Sequence, residues 1–61
     1  MSEALLLRAS IDRVLRERGE SSVSELSKIL SIPMEEAEAA VNELLSLGVV
    51  RRRSNGKIRP T

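Results

Sequence analysis

The chain has 61 residues, a formal net charge of +1, 41% apolar residues, and no cysteine, histidine, phenylalanine, tyrosine or tryptophan. Without Cys or His there is no disulfide framework and no ordinary ligand set for zinc, and the core has to be aliphatic. The length is that of one domain, in which hydrophobic burial exceeds the cost of chain ordering only narrowly, so a dimer, a partner or a parent assembly would add stability. No apolar run approaches membrane-spanning length, and Leu5-Leu6-Leu7 is too short for the apolar core of a signal peptide, which makes the cytoplasm the expected compartment.

The first predicted element is a helix over about 2–18. Ala4, Leu7, Ile11, Val14 and Leu15 recur at helical spacing and define its core stripe. Ser2 suits the N-cap and Glu3 the first turn, while Arg16 and Arg18 suit the last turn before Gly19 stops the helix. Leu5 and Leu6 lie off the stripe. They read either as a fraying first turn beside the core or as a candidate protein interface through which helix one forms a homodimer.

Glu20-Ser21 is a short connector with room for one extended residue pair. Ser22-Val23-Ser24-Glu25 then matches a capping box, in which the Ser22 hydroxyl accepts from the Glu25 N–H and the Glu25 carboxylate accepts from the Ser22 N–H. The second helix is expected over about 23–30, with Val23, Leu26, Ile29 and Leu30 inward and Lys28 outward. Ser31-Ile32-Pro33 is the turn, since Pro33 pushes Ile32 out of the helical region and is tolerated at a helix start. The third helix, about 34–47, carries a stripe of Ala37, Ala40, Val41, Leu44 and Leu47 with Leu45 at its edge, and Gly48 ends it.

Residues 49–60 are predicted to form a β-hairpin. Asn55-Gly56 between strand-like runs signals a type I′ turn, which needs positive φ at both central residues. A two-residue loop sets Ser54 opposite Lys57, Arg53 opposite Ile58 and Arg52 opposite Arg59. Arg52, Lys57 and Arg59 then share a face with Val50, and Arg51 and Arg53 share the other with Val49, Ile58 and Pro60. Charge is segregated along the chain: residues 1–31 balance, residues 32–48 sum to −4 and residues 49–61 to +5. The basic run has three readings: an edge guarded against strand pairing, a phosphate-binding surface, or a dock for an acidic protein. Directly opposed arginines repel unless an anion lies between them, and a phosphate backbone supplies one. The absence of aromatics disfavours base-stacking recognition of single strands.

The order of elements, helix, helix-turn-helix and hairpin, resembles a winged helix-turn-helix domain. The resemblance is carried by Ser22-Val23-Ser24-Glu25-Leu26-Ser27-Lys28-Ile29-Leu30-Ser31-Ile32-Pro33, then Ala37, Val41, Leu44 and Leu47-Gly48-Val49-Val50, and it covers nearly the whole chain. It implies a mainly α fold with a C-terminal hairpin as wing, and a protein that binds double-stranded DNA as a transcriptional regulator or architectural binder. In that family the second helix of the motif lies in the major groove and the wing meets the backbone or minor groove. Carried over by position, Met34, Glu35, Glu38, Ala39 and Asn42 would face DNA. Only Asn42 is an adenine reader of the usual kind, and the glutamates of this helix face phosphate repulsion.

The candidate DNA contacts are therefore Arg51, Arg52, Arg53, Lys57 and Arg59 on the wing, with Asn42 and Lys28 from the helices. Five neutralised phosphates imply a slope of log K against log salt of roughly −4 to −5. The resemblance also covers protein-interaction winged helices, such as the C-terminal domain of archaeal replicative helicases and those of archaeal division-filament proteins, and the acidic third helix and Leu5-Leu6 fit that alternative. No catalysis, cofactor or small-molecule ligand is expected. His, Cys and Tyr are absent, Glu35, Glu36 and Glu38 lie on a solvated helix face, and Gly19, Gly48 and Gly56 are too scattered to cradle a phosphate.

Overall fold

The computed structural model describes residues 3–61. The elements are α1 (Glu3–Arg18), α2 (Val23–Leu30), α3 (Met34–Leu47), β1 (Val50–Arg52) and β2 (Ile58–Pro60). The protein is thus mainly helical, with three helices followed by a two-stranded antiparallel hairpin. The cap expected at Ser2 lies outside the described residues. Among those residues no helix is long and apolar enough to cross a membrane.

One aliphatic cluster joins all the elements. It contains Ile11 and Leu15 of α1, Leu26 of α2, Ala40, Val41 and Leu44 of α3, and Val50 and Ile58 of the hairpin. Leu7 and Val14 are partly buried against it, whereas Ala4, expected on the same stripe, is exposed. Gly19 stops α1 at φ +88, with its N–H donating to the Leu15 carbonyl at 2.7 Å. A salt bridge of 2.7 Å from Arg8 to Glu43 ties α1 to α3.

The capping box at the start of α2 is present in both directions: the Glu25 N–H donates to Ser22 Oγ at 3.0 Å, and the Ser22 N–H to Glu25 Oε1 at 3.3 Å. The inward face of α2 is narrower than expected. Leu26 is fully buried and Val23 and Leu30 partly, but Ile29 is exposed. At about 100° per residue, Val23 and Leu30 fall on one side of Leu26 while Ile29 swings to the other, and a helix of two turns can turn only one side to the core.

The turn into α3 uses a conformation that the sequence did not announce. Ser31 is left-handed (φ 54), and the Ser27 hydroxyl donates to the Ile32 carbonyl at 2.7 Å. Pro33 is the N-cap of α3 and gives it no side-chain cap. Ala37, Ala40, Val41 and Leu44 are buried on α3. Leu45 packs on the core, and Leu47, expected on the stripe, is 63% exposed. It lines a hollow of about 310 Å³ with Leu5, Leu44 and Val49. Gly48 closes α3 at φ +76.

Candidate anion-binding hairpin

The hairpin differs from its expected form by one residue. The strand partners are Val50↔Pro60, Arg51↔Arg59 and Arg52↔Ile58. The Arg53 N–H donates to the Lys57 carbonyl at 2.8 Å and the Gly56 N–H to the Arg53 carbonyl at 2.9 Å, which makes Ser54-Asn55-Gly56 a three-residue loop. Gly56 has φ +84 and Asn55 does not have positive φ, so the turn is a type I turn followed by a glycine bulge, in place of type I′. Asn55 acts through its side chain, with Oδ1 accepting the Lys57 N–H at 3.0 Å.

This register overturns the expected assignment of faces. Residues paired across strands share a face, so Val50, Arg52, Ile58 and Pro60 lie on one side and Arg51 and Arg59 on the other. Val50 and Ile58 are buried, which makes theirs the inner face. The opposed arginines are Arg51 and Arg59, where Arg52 and Arg59 were expected, and Arg51 no longer shares a face with Ile58.

A third backbone segment meets β2. Ser21 pairs with Ile58 in an antiparallel bridge, through hydrogen bonds of 2.9 and 2.8 Å, and is itself fully buried. The connector is therefore extended, as expected. Ser21 points inward with Ile58, so Glu20 before it reaches the outer face. There Glu20 accepts from Arg53 Nη1 at 2.8 Å and lies 3.8 Å from Lys57 Nζ. This contact was not read from the sequence, because it depends on the connector lying beside β2. The same corner holds Glu25, 3.6 Å from Arg18. The Ser22 N–H, then its hydroxyl, hold the Glu25 carboxyl below the usual carboxylate range, and Lys57 and Arg18 add to this against partial desolvation.

The seven candidate DNA contacts thus separate. Arg53 and Lys57 are committed to Glu20. Arg51, Arg52 and Arg59 are exposed and have no carboxylate partner among the described residues. Arg52 lines a recess of about 360 Å³ with Val23, Glu38, Asn42 and Gly56, so Asn42 does meet the hairpin there, in the company of a carboxylate. Lys28 is exposed on α2 and lies outside that recess. Arg51 and Arg59 line a shallower hollow of about 250 Å³ with Pro60 and Thr61. Of the other α3 positions carried over from the resemblance, Ala39 lies in a groove toward α1 with Leu7 and Glu43, away from the hairpin. Leu5 and Leu6 are about half exposed, at 49% and 52%. No group of three or more His, Cys, Asp or Glu is placed to hold a metal among the described residues.

Comparison with protein-family models, curated proteins and solved structures finds no match to this chain.

Proposed function

We propose that the protein is a winged helix-turn-helix that binds duplex DNA through its hairpin, with backbone phosphates as the main contact. The observation that carries this reading is the set of three exposed guanidiniums, Arg51, Arg52 and Arg59, with no carboxylate partner among the described residues, on one small hairpin. Guanidinium matches phosphate geometry, and exposed cations without acids are free to release counterions from DNA. The order α2, turn, α3, hairpin supports the winged-helix reading. The acidic exposed face of α3, with Glu35, Glu36 and Glu38 in no ion pair among the described residues, makes the protein a weak reader of sequence. An architectural role, or regulation with loose specificity, fits that surface.

Because the single Glu20 carboxylate offsets one of the two charges on Arg53 and Lys57, the salt slope is expected no steeper than about −3.6, against −4 to −5 for five contacts. Duplex titration by fluorescence anisotropy across a salt series tests this. A flat dependence, or no binding to duplex at low salt, overturns it.

A second reading, a protein-interaction winged helix, is favoured by one feature. Leu5, Leu47 and Val49 border an apolar hollow, with Leu6 exposed on the same helix as Leu5. Leu5→Asp with Leu47→Asp is expected to abolish self-association or partner binding measured by sedimentation. If association survives those changes, the surface lies elsewhere.

A further inference from the structure

We infer that Arg51 and Arg59 form a two-guanidinium phosphate clip on the outer face of the hairpin, on which a nucleic-acid backbone docks with α3 held away from it. This rests on the DNA-binding reading and names the surface and pose. Four observations converge on it.

First, the two arginines are directly paired across the strands, so their side chains leave the sheet on the same side. Their Cα atoms at such a pair stand about 5.5 Å apart or less. Two like charges so placed destabilise the hairpin unless an anion joins them. Neither has a carboxylate partner among the described residues, although Glu20 reaches the same face and pairs with Arg53 and Lys57 nearer the tip. The fold thus offsets part of the charge at the tip and leaves the pair at the base without a counter-charge among the described residues.

Second, the pair lines a concave surface. Pro60 and Thr61 form the rest of a hollow of about 250 Å³. The Thr61 hydroxyl donates to the Gly48 carbonyl at 3.1 Å and its N–H to the Val49 carbonyl at 3.2 Å, which fixes the end of β2 against the start of β1. The Thr61 end of the hollow is therefore fixed to the start of β1.

Third, the side toward α3 is electrostatically poorer. Its one hairpin cation, Arg52, shares its recess with Glu38. A phosphate entering there meets one guanidinium and one carboxylate, whereas on the outer face it meets two guanidiniums.

Fourth, the inner face of the hairpin is sealed by Val50 and Ile58 against the helices. A duplex held by Arg51 and Arg59 has the sheet between itself and α3, and so avoids the glutamates of that helix.

The test is side-chain and amide NMR of the intact chain, titrated separately with a short duplex and with inorganic pyrophosphate, together with salt-dependent affinities. The expected result is that Arg51 and Arg59 Nε–H signals move with both probes. The pair then contributes about −1.8 to the wild-type slope, about a twelvefold loss in affinity from 50 to 200 mM salt. Arg51→Gln with Arg59→Gln removes that contribution, Arg52→Gln costs less than the double variant, and α3 amides shift little. The double variant is also expected to melt no lower than wild type in phosphate-free buffer, and pyrophosphate to raise the Tm of wild type only. If Arg52→Gln costs more than the double variant, or the amides of Glu38 and Asn42 shift most, the pose is overturned. A Tm lowered by the double variant overturns the clip by making the pair structural. Pyrophosphate acting on Arg51 and Arg59 without any duplex binding removes the DNA reading and keeps the anion clip. No response of either arginine to either probe overturns the clip itself.

Discussion

On the inner face of the hairpin, Val50 and Ile58 are sealed into the aliphatic core, and Ile58 also exchanges two backbone hydrogen bonds with Ser21. On the outer face, one residue along each strand, Arg51 and Arg59 stand opposed in solvent. The inner residues are held by burial and close packing. The outer residues are held by nothing but the strands that carry them, and electrostatically they oppose the structure. Strand alternation lets both arrangements coexist in two three-residue strands. The difference separates what keeps the protein folded from what is available to a ligand, and each can be changed alone.

The largest expected effect comes from breaking the inner face. Ile58→Ala is expected to cost about 2–5 kcal/mol, since it empties a fully buried site where the hairpin, α1 and the connector meet. Urea denaturation would measure it, and a cost under 1 kcal/mol would show that the hairpin is not part of the cooperative core. Gly56→Ala strikes the bulge that sets which residues face inward. At φ +84 an added Cβ is expected to cost about 1–2 kcal/mol, although the space around it is open. An unchanged melting curve would mean that the loop accepts another geometry.

Glu20→Gln leaves the inner face alone. The stability change is expected to be below about 1 kcal/mol, as for other exposed pairs. Its signature is functional: Arg53 and Lys57 are released, and the DNA salt slope steepens by up to about 0.9. An unchanged slope would show that Glu20 does not restrain them. The smallest effect belongs to Glu25, whose carboxyl is depressed by the Ser22 contacts. A depressed acid contributes stability above its ordinary value, near 4.3, that fades as pH falls from there through the lower folded value. Glu25→Gln is therefore expected to flatten the stability profile in that acidic window and to leave its shape near neutral pH intact. A parallel profile for both proteins would remove the assignment.

Most of the architecture was legible in local signals. Ser22-Val23-Ser24-Glu25, Gly19, Pro33 and Gly48 act within a turn of their own positions, and the helix limits follow them. The hairpin was legible as an element and misread in register, because Asn55-Gly56 has two hairpin solutions. What decides between them is distant. With a two-residue loop Val50 and Ile58 fall on opposite faces, and only the three-residue loop buries both. That constraint was present in the aliphatic positions and outweighs the turn dipeptide. Leu47 and Ile29 escaped for a related reason: helical periodicity gives an angle, and what covers that angle depends on how far the neighbouring helix extends. The candidate site was half legible. The basic run was plain, while its division into cations with and without a carboxylate partner needed Glu20 to come alongside β2.

The bridge between Ser21 and Ile58 also has a consequence for synthesis. Translation delivers α1, the connector, α2 and α3 well before β2. During that interval the Ser21 N–H and carbonyl have lost no water and gained no partner, and the cleft between connector and core stands open. Only when Ile58 emerges do both hydrogen bonds close and the last aliphatic side chain fill that cleft. A chain ending at Gly48 thus lacks Val50 and Ile58 of the core, and the strand that completes it is also the one that carries Arg59.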